Sequence, residues 1–406
     1  MRVILITVLV LILAVIGVAY YLYPTLYSIK PDTSETPALS DLMNPNLRGE
    51  NSGTESSDSR ASIPVETIVA QGLDTPWAIA FLPDGNMLVT ERKGAVRLVD
   101  KSGNLQSEPV VTINTVKEIG EGGLLGMTLH PKFPENGWVY LYYTYESQGD
   151  NTKNQVVRMK YTNGQLTDEQ IILDNIPGAS NHNGGRIKFG PDNYLYITTG
   201  DAQDPSKAQD GNSLAGKILR VDSEGKAPED NPYNRRAGYV PRPIPPVYSL
   251  GHRNPQGIAW DKDGNLWETE HGPSGGSLGT GNDEINLINS GSNYGWPEIQ
   301  GDQTKEGMIT PLKNSTPQLS WAPGDLAVIG DTLYFGGLRG QALYRAKIDN
   351  GRVRAVEELL KGRYGRIREV MSGPDGMLYI TTSNRDGRGK PNSNDDKIIR
   401  INPSKL

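Results

Sequence analysis

One two-strand unit recurs six times along this chain, and this repeat constrains the fold more than any other feature of the sequence. Each copy has an apolar run, a short turn rich in Gly, Pro, Asp or Asn, and a second run of alternating aromatic or β-branched residues. Such a copy predicts two antiparallel strands joined by a tight turn. The copies are residues 78–91, 126–145, 185–201, 257–270, 326–338 and 369–383.

The spacing of the copies predicts their arrangement. They begin roughly 45 to 70 residues apart, as radial blades do. A large β-sandwich could hold irregular hairpins, but it gives no reason for the same unit to recur six times. No long segment of helical periodicity interrupts the repeat. The sequence therefore predicts an all-β fold, a six-bladed β-propeller.

The first 62 residues differ from the rest of the chain. Residues 3–23 are predominantly apolar and long enough to cross a hydrocarbon core of about 30 Å. This length favours an uncleaved signal anchor in residues 1–24 over a cleaved signal peptide, although Gly17-Val18-Ala19 would suit cleavage. Residues 25–62 are polar and predict a flexible linker. We expect residues 63–406 to form the propeller, either membrane-anchored and extracytoplasmic or secreted after cleavage.

Composition excludes several functions. The net charge of −6, with no basic run, argues against a nucleic-acid partner. The absence of Cys excludes disulfides, thiolate metal sites and covalent haem attachment. Any redox chemistry would therefore need a non-covalent cofactor without Cys ligands.

The segment from Gly251 to Pro297 combines groups that packing alone does not explain. Arg253 and Asn254 provide guanidinium and amide donors that can converge on an anionic or carbonyl oxygen. The turn at Gly272-Pro273 can expose backbone carbonyls, and the acidic pair Asp283-Glu284 follows it. Carbonyl and carboxylate oxygens are the ligands that calcium prefers. The segment therefore predicts an oxyanion clamp beside a metal site.

The chain resembles the soluble quinoprotein glucose dehydrogenase and aldose sugar dehydrogenase family over roughly residues 64–403. Besides the segment above, the resemblance is carried by GEGGLLGMTLHP (120–131), SNHNGGRIKFGPDNYLYITTGD (180–201), YFGGLRGQALYR (334–345) and GRIREVMSGPDGMLYITT (365–382). It implies a propeller that binds pyrroloquinoline quinone (PQQ) and Ca²⁺. It also implies oxidation of aldose sugars at the anomeric carbon to lactones, with hydride transfer to the quinone and electrons passed to an external acceptor.

The resemblance also implies catalytic roles. His182 stands where the family has its general base, and Arg253 stands beside the quinone oxygen that becomes negative. Family glucose dehydrogenases often have Asp immediately before the base, whereas this chain has Asn181. An amide can orient the imidazole but cannot stabilise imidazolium by charge, so the pH dependence is expected to differ.

Further positions match cofactor contacts of the family. Asn254 corresponds to a second PQQ contact, and Arg339, Arg366 and Arg368 to the cations that bind its carboxylates. Without the resemblance, Arg366 and Arg368 would be interpreted as exposed charges on an edge strand. Glu121 lies where the glucose dehydrogenases have a Gln that contacts cofactor and substrate, so we expect a different sugar preference.

Two calcium sites are implied in the same way. Gly272 and Pro273 would hold the ion that polarises the quinone. Glu284 and Tyr294, the latter through its backbone carbonyl, match a second ion that would stabilise the loop, and Asp302 is a weaker candidate ligand.

Two other classes of function fit a propeller. A calcium-dependent lactonase or esterase would use the same fold and metal, but it gives the arginines no obvious role. A membrane-tethered binding module without catalysis fits the anchor and the propeller equally well.

Overall fold

The predicted six-bladed propeller is confirmed. The computed structural model describes residues 65–148, 151–234, 245–274 and 280–406, which form six four-stranded antiparallel sheets. The predicted anchor and linker lie outside the described residues, as do the first two positions of the predicted propeller domain. In the described part of the chain, no helix is long and apolar enough to cross a membrane.

The strands of the described residues follow the repeat closely, and short helices connect a few of them. The strands are β1 (Glu66–Gln71), β2 (Pro76–Phe81), β3 (Met87–Glu91), β4 (Ala95–Val99), β5 (Val111–Thr112), β6 (Leu124–Leu129), β7 (Trp138–Glu146), β8 (Thr152–Thr162), β9 (Gln165–Pro177), β10 (Ile187–Phe189), β11 (Leu195–Thr199), β12 (Lys217–Val221), β13 (Val247–Leu250), β14 (Pro255–Trp260), β15 (Leu266–Glu270), β16 (Glu284–Ile288), β17 (Lys313–Asn314), β18 (Pro323–Ile329), β19 (Thr332–Gly337), β20 (Ala342–Asp349), β21 (Arg352–Leu359), β22 (Ile367–Ser372), β23 (Leu378–Thr382) and β24 (Lys397–Ile401). The helices are α1 (Phe133–Asn136) and three 3₁₀ turns, Pro205–Ala208, Pro232–Asn234 and Pro403–Lys405.

Five sheets are built from consecutive strands, in the orders β2 to β5, β6 to β9, β10 to β13, β14 to β17 and β18 to β21. The sixth sheet has the order β1-β24-β23-β22, so the first strand of the domain completes the last blade. Glu66 pairs with Ile401 in this closure. Because β1 joins the two ends of the domain, the ring of blades is closed by backbone hydrogen bonds.

The hairpin turns are stabilised by the residues that predicted them. In the turn between β14 and β15, Asp261 Oδ1 accepts the backbone N–H of Asp263 and of Asn265. Gly264 follows with φ +81°, a conformation that favours glycine. The indole N–H of Trp267 donates to Asp261 Oδ2 at 2.9 Å, which ties the turn to the blade.

The first strand of each consecutive sheet and β22 are innermost, because these strands contact their counterparts in neighbouring blades. Strand β2 illustrates the burial: five of its six residues are buried, so it is apolar on both faces rather than alternating. The innermost strands all begin at the same mouth of the central channel. Loops that enter them, and loops that leave the second strand of each blade, therefore converge on one site.

Candidate active site

A cavity of about 610 Å³ occupies this mouth. It is lined by six of the residues that the sequence singled out, namely Glu121, His182, Arg253, Arg339, Arg366 and Arg368. These residues come from loops of several blades and are up to 247 positions apart (368 − 121). The structure thus brings the predicted base and the predicted cations to one cavity.

His182 is held in place on both sides of its backbone. Its N–H donates to Glu121 Oε2 at 3.1 Å, and its carbonyl accepts the N–H of Ala202 at 3.1 Å. Its φ of +62° is unusual for a residue with a side chain, and such strain persists where surrounding contacts enforce it. The imidazole Nδ1 lies 2.7 Å from Asp201 Oδ1. Since a carboxylate accepts, Nδ1 carries the hydrogen and Nε2 is left as the basic nitrogen.

The charged partner of His182 is Asp201, a residue whose role sequence reasoning missed. Asp201 is fully buried at the end of β11, and its Oδ2 accepts the indole N–H of Trp296 at 2.8 Å. Asn181, the residue expected to orient the imidazole, instead accepts a hydrogen bond from Arg388. Asn181 therefore does not orient the imidazole and a carboxylate does, while the expected difference in pH dependence stays a prediction. Asp201 is the last residue of the motif at 180–201 that contains His182, and this shared motif was the signal that could have identified it.

Arg253 lies next to this pair. Its guanidinium donates to the carbonyl of His271 at 3.3 Å and lies 5.4 Å from the ring centre of Trp296. Its backbone carbonyl accepts the N–H of Asp201 at 2.8 Å. Burial lowers the pKa of Arg253, and nearby carboxylates, Asp201 first, oppose that change. The base and the predicted oxyanion donor therefore share one rigid framework.

Two buried donors lack partners among the described residues: one on Arg368, which lines the cavity, and one on Asn254, which does not line it. Asn254 is fully buried, and its Oδ1 accepts the N–H of Gly184, but its amide nitrogen makes no hydrogen bond. Arg368 donates to Gln256 Oε1 at 2.9 Å, yet its Nε is also unsatisfied. Burial lowers the pKa of Arg368, and Asp386 counteracts this only partly. Unsatisfied buried donors carry a free-energy cost that an acceptor-rich ligand would remove.

The other two arginines of the predicted cofactor site differ in exposure. Arg366 is buried, forms an ion pair with Asp386 at 2.7 Å and donates to the carbonyl of Leu338. Arg339 is exposed at the rim and, within the described residues, forms no hydrogen bond or ion pair. The alternative interpretation of Arg366 and Arg368 as exposed edge charges is wrong, because both are more than 90% buried.

Glu121 is paired at the mouth of the cavity. It bonds the backbone of His182 as described above, and its Oε1 accepts Arg388 NH1 at 2.7 Å. Burial acts to raise the pKa of Glu121, but the charge of Arg388 and the hydrogen bonds from Arg388 and from the backbone N–H of His182 outweigh it and lower the pKa below its usual value. Glu121 is therefore an anion, and its counterion Arg388 was not identified from the sequence.

The turn at Gly272-Pro273 is buried at the side of the cavity. A Cβ at Gly272 would lie 2.1 Å from the carbonyl oxygen of Gly281, so only glycine fits there. The Gly272 N–H donates to Asp283 Oδ1 at 2.9 Å. The other oxygen of Asp283 accepts three further hydrogen bonds, from Ser320, Trp321 and Ala322. Asp283 therefore fastens the turn and has its oxygens occupied by protein donors.

His271 precedes this turn and is neutral. Its Nε2 lies 2.8 Å from the carbonyl oxygen of Pro323 and so carries the hydrogen. Burial lowers the pKa of His271 to about 4.

Glu284 lies behind Arg253 in a buried acidic cluster. With Glu268 and Glu270 it forms a group of three carboxylates on β15 and β16, and Asn286 donates to both Glu268 and Glu284. Burial raises the pKa of all three carboxyl groups, to about 8 for Glu270. Glu268 Oε1 and Asn286 Oδ1 have no partner among the described residues.

The remaining predicted calcium ligands lie at different distances from solvent. Tyr294 is buried, its ring stacks on His252 with centroids 4.9 Å apart, and its hydroxyl donates to the carbonyl of Leu287. Asp302 is exposed and accepts a hydrogen bond from Asn314, which pairs with Glu284 across β16 and β17. Asp302 thus lies outside the buried cluster and is connected to Glu284 only through Asn314.

The fold and the site define the class of this protein as a six-bladed β-propeller with a histidine–aspartate pair among converging arginines at one mouth of its channel. The chain belongs to the Glucose / Sorbosone dehydrogenase family, whose model matches residues 73–399. This confirms the resemblance inferred from the sequence.

Known proteins show the extent of the similarity. Aldose sugar dehydrogenase YliI of Escherichia coli is 33% identical over 355 residues, covering 80% of this chain and 92% of that protein. Quinoprotein glucose dehydrogenase B of Acinetobacter calcoaceticus is 32% identical over 273 residues, covering 59% of this chain and 54% of that protein. The PQQ-bound aldose sugar dehydrogenase of Streptomyces coelicolor has a TM-score of 0.74 and 37% identity, covering 83% of this chain and 98% of that one.

Proposed function

We propose that this protein oxidises aldose sugars at the anomeric carbon to lactones, using PQQ and Ca²⁺, and passes the electrons to an external acceptor. The observation that carries this proposal is the juxtaposition of the free Nε2 of His182 with Arg253 and Arg368, two buried guanidinium groups that form no ion pair within the described residues. A base and an anion-binding surface in one cavity are what oxidation of an alcohol by an acidic quinone requires.

The residues fit PQQ. The unpaired amide of Asn254 and the unpaired Nε of Arg368 are buried donors that await acceptors. Arg339 and Arg366 add positive charge at the cavity wall, where carboxylates of the cofactor would bind. When bound, PQQ would supply the electrophilic carbonyl carbon that accepts the hydride.

Two regions fit calcium. The Gly272-Pro273 turn is buried and held in shape by Asp283, so its backbone carbonyls are candidate ligands beside the cavity. At the acidic cluster, two unpaired acceptors, Glu268 Oε1 and Asn286 Oδ1, lie with Glu284. Repulsion among buried carboxylates is relieved by a divalent cation, which supports a stabilising ion held by Glu284. The backbone carbonyl of Tyr294 is retained as a proposed ligand.

The side chains then divide the chemistry. Nε2 of His182 removes the proton of the anomeric hydroxyl as the hydrogen on the anomeric carbon leaves as hydride, so the carbon–oxygen bond becomes a carbonyl. Asp201 stabilises the resulting imidazolium and keeps Nε2 directed away from itself. Arg253, fixed by Trp296 and His271, donates to the oxygen on which negative charge develops.

One arrangement of side chains resembles the catalytic triad of a hydrolase, but it does not support the hydrolase alternative. Ser249 Oγ lies 2.8 Å from His252 Nε2, and His252 Nδ1 lies 3.2 Å from Glu270 Oε2. A serine, a histidine and a carboxylate in this order could form a nucleophile. All three residues are buried, none lines the cavity, and burial lowers the pKa of His252 to about 3. This triad therefore has no access to substrate.

The test is reconstitution. The purified protein is loaded with PQQ and Ca²⁺, an aldose is added, and reduction of a redox dye is followed. We expect dye reduction that needs all three components. A protein without PQQ and a sugar alcohol in place of the aldose are the controls. Absence of aldose-dependent reduction in a protein shown by absorbance to hold PQQ would contradict the proposed function and favour a binding module.

A further inference from the structure

Arg388 spans the mouth of the cavity. It belongs to the loop after β23, and it reaches two loops of other blades: NH1 donates to Glu121 Oε1 at 2.7 Å and NH2 donates to Asn181 Oδ1 at 2.8 Å. Its backbone N–H donates to Asp386 Oδ1, and the other oxygen of Asp386 accepts from Arg366. Arg388 is thus connected to the base on one side and to a proposed cofactor arginine on the other.

This contact sits beside the reacting position. Glu121 Oε2 accepts the backbone N–H of His182, so a single carboxylate joins Arg388 to the base. The side chains of Arg388 and Glu121 are 49% and 21% exposed, so both remain accessible from the cavity. Exposed ion pairs add little to stability, which means that the fold does not depend on this one.

The pair offers what a sugar can recognise. Neighbouring hydroxyl groups can donate to a carboxylate and accept from a guanidinium at the same time. Arg388 also lines a second cavity of about 320 Å³, which it shares with Arg366 and which is further lined by Lys390 and Lys397. Because Glu121 lies between Arg388 and His182, a sugar with its anomeric hydroxyl at His182 would present its more distant hydroxyls to Arg388.

We propose that Arg388 is a specificity-determining residue that, together with Glu121, binds neighbouring hydroxyls of the sugar. Arg388 also neutralises the negative charge of Glu121, which would otherwise repel anionic sugars. This inference rests on the proposed function. It predicts that the enzyme accepts aldoses with a remote carboxylate, because Arg388 offsets a carboxylate that would otherwise repel them.

The test compares glucose with glucuronate in the reconstituted enzyme. Arg388→Ala should raise KM for glucose about 10-fold with kcat within about twofold of wild type, since one charged hydrogen bond to substrate is lost. The rise in KM for glucuronate should be larger, because Glu121 is then uncompensated. Arg388→Lys should partly restore the wild-type ratio of the KM for glucuronate to the KM for glucose. Arg388→Ala combined with Glu121→Gln should restore this ratio more fully.

The matched control is Arg385→Ala, an exposed arginine of the same loop whose Nε donates to the carbonyl of Asp395 and which does not line the active cavity. An active Arg388→Ala variant with unchanged KM for both sugars would overturn the inference alone. Equal changes in Arg388→Ala and Arg385→Ala would show a merely structural effect and also overturn it. Loss of all aldose-dependent activity in the loaded wild type would instead remove the proposed function, and this inference with it.

Discussion

At the scale of single residues, the contacts of His182 support its proposed role as the base. A histidine accepts a proton efficiently when its second nitrogen is bound to a carboxylate, because the charge that forms is then stabilised. Asp201 provides this contact at 2.7 Å from His182, and Trp296 provides a donor to the other oxygen of Asp201. In the proposed reaction, Nε2 of His182 accepts the proton, and Asp201 and Trp296 hold the imidazole in place.

His182→Ala should leave PQQ binding nearly intact and lower kcat on the order of 10²–10⁴-fold, because only the proton acceptor is removed. Cofactor binding is measured by absorbance titration and turnover by dye reduction. His130→Ala serves as the control, since His130 bonds Asn136 and does not line the cavity. A His182→Ala variant that retains half of the wild-type turnover would contradict the assignment of His182 as the base.

Asp201→Asn and Asn181→Asp test which residue orients the base. Asp201→Asn should lower kcat on the order of 10²-fold or more, because the amide no longer stabilises imidazolium. Asn181→Asp should keep turnover within about threefold of wild type, since Asn181 contacts Arg388 rather than the imidazole. The readout is the pH dependence of kcat/KM. If the two variants behaved alike, the pairing of His182 with Asp201 would not be the relevant contact in solution.

At the scale of elements, β15 and β16 bring three buried carboxyl groups, Glu268, Glu270 and Glu284, side by side. Glu268 and Glu270 on β15 face Asn286 and Glu284 on β16 in register. One nitrogen of His252 and one oxygen each of Glu268 and Glu270 lie within 4.8 Å of one another. Such a cluster is costly unless protons or a cation compensate it. Local stability of this blade is therefore expected to depend on calcium.

Removal of calcium from the reconstituted enzyme should abolish aldose oxidation and lower the melting temperature. Glu284→Gln should eliminate most of the stabilisation by calcium, because it removes a proposed ligand, whereas Arg253→Gln should retain that stabilisation and lose turnover. Melting curves and dye reduction, each with and without chelator, are compared for both variants. Equal effects of the two substitutions on both readouts would show that the metal and the oxyanion donor are not separate.

At the scale of the whole molecule, closure of the ring and its central channel set the stability. Strand β1 pairs with β24, so the two ends of the domain hold each other. Around the channel, buried Arg186 bonds Glu369 at 2.6 Å and lies 3.3 Å from Asp325, to which Lys188 also bonds. Arg186, Lys188 and Glu369 line another cavity, of about 800 Å³, which is separate from the cavity that contains His182.

Deletion of residues 1–62 should yield a soluble domain that folds and binds PQQ, because β1 begins after this point at Glu66. Deletion of residues 1–72 removes β1, exposes the edge of β24 and should lower the melting temperature by more than 10 °C, on the order of several kcal/mol lost from one strand.

We also propose that residues 1–24 anchor the protein in a membrane. Recovery of the full chain, but not of the first truncation, in the membrane fraction checks this proposal.

Glu369→Gln should change the pH dependence of stability. Burial raises the pKa of Glu369 to about 7, opposed by the charge of Arg186. A carboxyl group with a raised pKa contributes stability below its unfolded value of about 4.3 and loses that contribution as pH rises through about 7. The melting temperature of Glu369→Gln minus that of the wild type should therefore rise by about 2–4 °C between pH 5 and pH 8. Exposed Glu108→Gln is the control, and no relative movement would contradict the expectation.

The sequence by itself determined the propeller, because strand periodicity and turn chemistry are local properties that recur in every blade. The resemblance also singled out His182 and four arginines, which the structure brings to one cavity. Only the tertiary structure decided which groups meet: Arg388 bonds Glu121 across 267 positions, and the partner of His182 lies 19 positions away in the loop after β11. The physical reason is ring closure, which brings loops from distant parts of the chain to one mouth, so that contacts among them are not encoded in any local pattern.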